Sequence, residues 1–531
     1  MHYKPYTLKN FSDIEQLKRV DRAAISEIDA VGRVLPFKTN NYVVDELIDW
    51  DNYENDPLFA INFPVKNLLA RKDFDRIAGL IKSGSSNSVI QRAVEKIRLE
   101  LNPHPAGQLE CNIPEMAGSK VNGVQHKYKE TMLIFPAQGQ TCHAYCTFCF
   151  RWPQFTDMNA YKMALKEADI AAQYLRRHPE ITDVLFSGGD PMVMRASRLE
   201  IYIDALLNSG ISNLRTIRIG TRSLSFWPYR YLTDKDSEKI LALFRNVTDA
   251  GIQLSVMAHI NHYREMSTDA FREAVKRIRR TGAMIRSQSP VLNHVNADPA
   301  VWAKMWVDQV NLGIVPYYMF VARNTGAHKY FSIPLVKAYK IYRNAYSQVS
   351  GLARTVRGPI MSARPGKIKI DGIPEINGKT HLCLSFIQGR SSSWVKRPFF
   401  ADYDEDACWI NELRPAFGEK DFFFSRNESD VKRADSLNGN AASSPALRLD
   451  HAIGAEYGSS KQWPLPRIAE LTEKDHPGGR PALEVPEQTL RSDRSPTGYS
   501  PGIVRRREDC LGTGPRHQLK PGHGDGYHSP A

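Results

Sequence analysis

From about residue 128 the chain takes up a repeating rhythm, and that rhythm limits the folds open to it. Short apolar, β-rich runs at 132–136, 183–187, 214–220, 252–260, 283–291 and 314–321 alternate with amphipathic stretches at 167–177, 196–207, 236–250, 269–280 and 299–311. Strand-length runs separated by helix-length ones predict an α/β fold with parallel strands, as a barrel or an open sheet. In such folds the loops at the C-terminal ends of the strands carry the chemistry. Ahead of this region, residues 1–110 predict a helical N-terminal extension. Phe74-Asp-Arg-Ile-Ala-Gly-Leu-Ile and Val89-Ile-Gln-Arg-Ala-Val-Glu-Lys-Ile both set apolar residues at helical spacing. The repeating region is expected over 111–380 and a last ordered segment over 381–424. Over 425–531 Pro, Gly, Ser and Arg with little periodicity predict a disordered tail.

The loop after the first predicted strand reads Thr141-Cys-His-Ala-Tyr-Cys-Thr-Phe-Cys-Phe-Arg151, which places Cys142, Cys146 and Cys149 within eight residues. Three thiolates this close can ligate three irons of one 4Fe–4S cube. With no fourth cysteine nearby, one iron stays open to bind a small molecule, whereas electron-transfer clusters are usually held by four cysteines. Structural zinc takes four ligands, commonly as two close pairs. Here there is no second pair, and His143, directly after Cys142, would strain a tetrahedral shell. A disulfide is disfavoured because the N-terminus lacks the apolar core of a secretory signal. Cys111, Cys383, Cys408 and Cys510 are scattered, which suits a reducing compartment. No apolar run approaches the roughly 18–20 residues needed to cross a bilayer, so a soluble, cytoplasmic protein is expected.

The second predicted strand runs into Ser187-Gly-Gly-Asp-Pro191. Paired glycines let a ligand approach the backbone closely. Backbone carbonyls there, together with Asp190, can hold an ammonium group, although alone the motif reads as a simple strand-to-helix turn. The net charge is +13, with fifteen Lys and Arg against fourteen Asp and Glu from Ser425 onward, so the excess lies before the tail. Such an excess serves nucleic acid or anionic small molecules alike. With no long basic run in 1–424 and no RNA-recognition signature, an iron–sulfur or zinc nucleic-acid-binding protein is the less favoured reading.

The cysteine triplet, Phe148 just before its third member, and the Gly188-Gly189-Asp190 turn about 40 residues on together resemble the radical S-adenosylmethionine (SAM) superfamily. The resemblance implies a partial (βα)6 TIM-type barrel. It also implies SAM chelated to the open iron and a reduced cluster that splits it to a 5′-deoxyadenosyl radical. Residues from roughly 56 to 380 resemble the lysine 2,3-aminomutase family in particular. The matching segments, in order, are Asp56-Pro-Leu, Leu101-Asn-Pro-His-Pro-Ala-Gly, His126-Lys-Tyr, Arg218-Ile-Gly-Thr-Arg222, His259-Ile-Asn-His262, Ser287-Gln-Ser and Pro316-Tyr-Tyr. That family joins SAM to pyridoxal phosphate and moves the α-amino group of a free amino acid to its β-carbon, as an isomerase. Implied partners are an electron donor such as flavodoxin or ferredoxin and further copies of the chain in a homo-oligomer. The alternative within the superfamily is a relative with another substrate or without pyridoxal phosphate.

Carried over residue by residue, the resemblance makes Lys367, in Arg364-Pro-Gly-Lys-Ile-Lys-Ile, the candidate lysine for pyridoxal phosphate. Lys369, on the same strand face, is its rival. Lys127, Tyr128 and Gln288 fall at the cofactor pocket, with Lys127 where the family commonly has arginine. Arg151 matches the binder of the substrate α-carboxylate. Lysine-specific members hold the distal ammonium with two aspartates, and here those positions fall in Met319-Phe-Val-Ala-Arg323 and Met361-Ser-Ala-Arg364. An unpaired ammonium in a dry pocket is costly. Lysine is therefore disfavoured as substrate, and Arg323 suits a distal carboxylate, as in a glutamate-like amino acid. The structural zinc of some members lacks its clustered cysteines, since Cys383 and Cys408 stand alone.

Overall fold

The computed structural model describes residues 1–208 and 210–425. The tail predicted over 425–531 lies, from residue 426, outside the described residues, as does Cys510. Strands are numbered β1 (Val124–Tyr128), β2 (Thr131–Ile134), β3 (Asp183–Phe186), β4 (Thr216–Thr221), β5 (Gln253–His259), β6 (Met284–Val291), β7 (Val315–Val321) and β8 (Arg357–Ser362), followed by β9 (Gly366–Gly372), β10 (Lys379–Gly389) and β11 (Pro398–Asp402). Strands β2 to β8 pair in parallel, each with the next in sequence. Their connections carry helices α4 (Ala168–Arg177), α5 (Ala196–Leu207), α6 (Ser237–Asp249), α7 (Asp269–Arg279), α8 (Pro299–Asn311) and α9 (Leu335–Ser347). The expected α/β barrel of six βα units is present. A seventh parallel strand, β8, and its preceding helix α9 extend it beyond the sequence reading. Antiparallel β1 flanks one edge, and β9 with β10 continues the other.

Crossovers that always move to the next strand put every helix on the same face of the sheet. The strands show the consequence residue by residue. Val184, Phe186, Ile217, Ile219, Leu254, Val256 and Ile285 are fully buried under helix residues such as Leu175, Leu199, Phe244, Ile278 and Trp306. Their neighbours Leu185, Arg218, Gly220, Arg286, Gln288 and Phe320 point the other way and stay half-buried. That second face is the barrel lumen.

The N-terminal extension contains α1 (Arg22–Val34), α2 (Arg71–Lys82) and α3 (Asn87–Glu100). It also holds a two-stranded antiparallel ladder, Pro5–Thr7 against Lys38–Asn40, too short to register as alternation in sequence. Its core is continuous with Ala144, Trp152, Phe226, Trp227, Leu292 and Phe331, all from loops at the C-terminal ends of the barrel strands. The extension therefore caps the mouth where the chemistry is expected. Asp56 ties it down: the carboxylate accepts from the backbone N–H of Leu58 and Phe59 at the start of a short helix and pairs with Arg264 at 3.0 Å. At the other end β9–β11 pack with Trp394, Phe399 and Phe424 in a separate aromatic core. No helix among the described residues is long and apolar enough to cross a membrane.

Candidate active site

The cysteine loop leaves β2 and wraps over the mouth. Among the described residues no three Cys, His, Asp or Glu side chains converge as the shell of a single metal ion. A cube needs a different arrangement, in which each thiolate meets its own iron. The three thiols share a half-buried loop and none is in a disulfide. Burial pushes all three up, Cys149 to about 12, and the charge of Cys146 adds to the rise at both Cys142 and Cys149. Three thiols on one half-buried loop, close enough for their charges to couple, are the donor type that an iron–sulfur core takes.

The glycine turn after β3 lies hard against this loop. A β-carbon on Gly189 would sit 2.4 Å from the Thr141 carbonyl oxygen and 2.6 Å from its nitrogen, so only glycine lets the two backbones meet beside Cys142. Gly188 takes φ +132°, in the region that favours glycine. Asp190 departs from its expected role. Its carboxylate accepts from the Thr221 hydroxyl through both oxygens (2.7 and 2.8 Å) and from the backbone N–H of Met192 and Arg222 (both 2.9 Å). Three donors, the Thr221 hydroxyl shared between both oxygens and the two N–H groups, occupy the carboxylate from within the chain. Asp190 braces the turn to β4, and an ammonium group at this turn would be left to the loop carbonyls.

Arg222, at the end of β4, pairs with the fully buried Glu265 at 2.8 Å and donates to Asn261 Oδ1 at 2.5 Å. It lies 5.9 Å from the Phe148 ring centre, whose edge meets the His259 ring at 5.7 Å. Burial and Arg222 hold His259 well below the usual histidine range, so its ring is neutral. His259 Nε2 and Asn261 Nδ2 are buried with no partner. Sequence spacing could not single these groups out within the His259-Ile-Asn-His262 segment.

Across the lumen the charges are arranged differently. Lys367 on β9 donates to Gln388 Oε1 at 2.6 Å and lies 5.2 Å from the Tyr128 ring centre and 5.0 Å from that of Tyr318. Burial, reinforced by Arg218 and Arg357, pushes its amine down to about 7. Lys369, its rival, is ion-paired with Asp371 at 2.5 Å. Lys127 donates to the Ala363 carbonyl, and burial with the nearby charges of Arg323, Arg390 and Lys367 lowers it well below the lysine range. Gln288 stands on β6 in register with Tyr318 and with His259, between the two walls.

Arg151 and Arg323 come together around one ring. Their guanidinium carbons lie 5.0 and 4.4 Å from the centre of Phe150. Arg323 donates to the Ser362 hydroxyl at 2.9 Å, and Arg151 reaches Ser187 at 3.5 Å. In each, Nη1 is closed off from solvent with no hydrogen-bond partner, and neither has a carboxylate partner among the described residues. Burial, with Arg323's charge, brings Arg151 down to about 9, and burial brings Arg323 to about 10. A cavity of about 410 Å³ approaches from outside, lined by Asn324 and Ala363, the chain neighbours of Arg323 and Ser362, with Arg364, Trp409 and Phe422.

A barrel whose mouth carries a cysteine triplet, a glycine turn packed on it and a lysine deep in the lumen defines a radical-forming enzyme class. No family model matches the chain. A relative from Aquifex aeolicus, "Putative L-lysine 2,3-aminomutase", is 30% identical over 415 residues, 78% of this chain and 96% of the relative. The L-lysine 2,3-aminomutase of Escherichia coli is 28% identical over 260 residues, 48% of this chain and 70% of that protein. The chain belongs to the lysine 2,3-aminomutase family of radical SAM enzymes, which are isomerases. Among solved structures, Streptococcus suis SuiB bound to S-adenosylmethionine is 12% identical with a TM-score of 0.30, over 51% of this chain and 56% of that one. That likeness is too slight to build on.

Proposed function

We propose that the chain is an aminomutase that moves the α-amino group of a free, acidic, glutamate-like amino acid to its β-carbon, using SAM and pyridoxal phosphate. The observation that carries the choice of substrate is the pair of guanidinium groups at Phe150. Cations removed from water without a counterion are costly, and a protein keeps them where a ligand supplies the anion. Two such groups suit two carboxylates. Arg151, beside the cysteines, takes the α-carboxylate. Arg323, with Ser362, takes the distal one. Both lie in the two segments where the resemblance puts the aspartates of lysine-specific members, and neither segment carries a carboxylate, so the sign of the distal pocket is reversed.

Cys142, Cys146 and Cys149 would hold the cluster, and the Gly188–Gly189 backbone with Phe148 would receive the SAM. When bound, the cluster and SAM would supply the carbon radical for hydrogen abstraction at the substrate β-carbon. Pyridoxal phosphate, held at Lys367, would supply delocalisation of the unpaired electron. Lys367 supplies its attachment point. An amine held near 7 is substantially neutral and nucleophilic at physiological pH, whereas the ion-paired Lys369 is not so disposed. Tyr128 and Tyr318 wall the Lys367 amine, Gln388 orients it, Gln288 borders the pocket, and Lys127 offers the phosphate a cation whose charge an anion would restore. The N-terminal cap keeps water from the lumen during radical transfer. A reducing cytoplasm, a low-potential donor such as flavodoxin or ferredoxin, and a homo-oligomer complete the proposal.

The test is a panel of free amino acids given to anaerobically reconstituted protein with SAM, pyridoxal phosphate and reductant. β-Amino product from glutamate and none from lysine is expected. Product from lysine with none from acidic substrates overturns the assignment. Borohydride treatment should leave a phosphopyridoxyl label on Lys367; an unlabelled protein would indicate chemistry without pyridoxal phosphate.

A further inference from the structure

The N-terminal ladder carries a lysine to the cysteine loop. Lys38 Nζ donates to the Cys142 carbonyl at 2.7 Å and reaches the Thr141 hydroxyl at 3.4 Å. It lies 5.9 Å from the Tyr3 ring centre and 5.7 Å from that of Tyr145, and no carboxylate pairs with it among the described residues. The backbone around it grips the same loop. The Tyr145 N–H donates to the Lys38 carbonyl at 2.7 Å, Tyr3 Oη donates to the His143 carbonyl at 2.7 Å, and Asn40 Nδ2 donates to that carbonyl at 3.2 Å. Thr147 is held in turn by the short helix over residues 57–62. Its N–H donates to the Ile61 carbonyl at 3.0 Å and its hydroxyl to the Ala60 carbonyl at 2.7 Å. The extension thus clasps the stretch between Cys142 and Cys149 through six bonds, and at one end it delivers a cation that has no carboxylate partner among the described residues and faces the cluster position.

Cluster reduction potentials respond to local charge, hydrogen bonding and solvent exposure. We propose that Lys38 is the fixed countercharge at the Cys142 corner of the cluster, a positioning residue that makes the one-electron reduction easier. The ladder that bears it packs against that half-buried corner. This rests on the assignment of the three cysteines to the cluster. A cation next to the site where an electron is added stabilises the reduced form, so its removal should disfavour reduction.

The experiment titrates the reconstituted holoenzyme with dithionite-poised mediators and reads the reduced cluster by electron paramagnetic resonance, alongside iron content and the rate of iron loss in air. K38M should make reduction about tenfold less favourable, or about 59 mV lower for a one-electron couple. K38R should stay within about threefold of the wild type. Y3F, which removes a clasp bond without changing charge, should keep the wild-type potential and lose iron faster in air. Full iron in K38M at an unchanged potential overturns the proposal. So does a shift in Y3F equal to that in K38M, because the loosened loop would then be the cause. If K38M retains no iron while K38R retains all of it, the charge is needed to hold the cluster, which supports the proposal; loss in both overturns it. Wild-type protein that binds no iron would instead sink the cysteine assignment itself.

Discussion

The two walls of the lumen treat buried charge in opposite ways. On the β4–β5 side the buried charges are answered from within the chain: Arg222 by Glu265, Arg230 by Asp236, and Asp190 by two N–H groups and a hydroxyl. On the β7–β9 side, Arg323 and Lys367, with Arg151 beside them, hydrogen-bond among the described residues only to neutral groups. A charge paired inside the protein stabilises an architecture whether or not a ligand arrives. A charge left with a hydroxyl and a ring costs stability and makes sense as a ligand's counterpart. The first wall is built to stay, and the second is built to be completed.

The largest effect belongs to the second wall. K367M should lower turnover on the order of 10³-fold or more, the scale on which removal of a group acting as part of a covalent unit is felt. Because the Lys367 amine is held at about 7, its labelling by pyridoxal phosphate and borohydride should rise with pH through that value in the wild type. The same shift has a stability signature. Between about 7 and the ordinary lysine value the unfolded chain binds a proton that the folded chain does not, so stability climbs with pH across that window. Below about 7 both forms carry the proton and the slope vanishes. K367M should flatten the climb; an unchanged slope would show that the amine is not held down by its surroundings.

Next comes the first wall. E265Q leaves Arg222 buried without its countercharge and should cost about 3–5 kcal/mol in urea unfolding. The R222M/E265L pair, removing both charges, should recover most of that loss. R323M makes the opposite pattern. It should lower kcat/KM for an acidic substrate by about 10²–10³-fold, as expected when one side of a desolvated ion pair is truncated. Yet it should leave the urea midpoint unchanged or raise it, since no carboxylate among the described residues answers that charge. If R323M destabilises as much as E265Q, the difference between the walls is not one of function.

The parts of this picture that sequence made legible are those carried by contiguous pattern. Six strands and their helices showed through alternation, and the cysteines through close spacing. Strand β8 escaped because Gly358 and Pro359 lie inside it, and proline ordinarily argues against an interior strand. Strand β1, Val-Gln-His-Lys-Tyr, escaped because four of its five residues are polar or aromatic with no apolar alternation. At the site, Asp190 looked like a ligand because two of its three donors come from residues 221–222. Lys367 and Lys369 share a strand face, and only the fold gives one a neutral amide and the other a carboxylate. The meeting of Arg151, Phe150 and Arg323 joins positions more than 170 residues apart, which no local pattern encodes.

The smallest effect concerns how the second wall is held in place, since an unpaired cation would otherwise swing toward water. The loop after β7 is latched by the start of the Asn102-Pro-His-Pro segment. Asn102 Nδ2 donates to the Asn324 carbonyl at 2.7 Å, the Gly326 N–H donates to the Leu101 carbonyl at 2.8 Å, and the Thr325 hydroxyl donates to the Asn102 carbonyl at 2.5 Å. Asn102 does this at φ +53°, a left-handed conformation that asparagine adopts at lower cost than alanine. N102A loses the side-chain bond and also bears about 1–2 kcal/mol of conformational strain. N102G loses the bond alone, worth about 0.5–1.5 kcal/mol. Both variants should raise KM for the acidic substrate several-fold with little change in SAM cleavage, N102A more than N102G. Equal effects would mean that the bond, and not the backbone conformation, keeps Arg323 turned into the lumen.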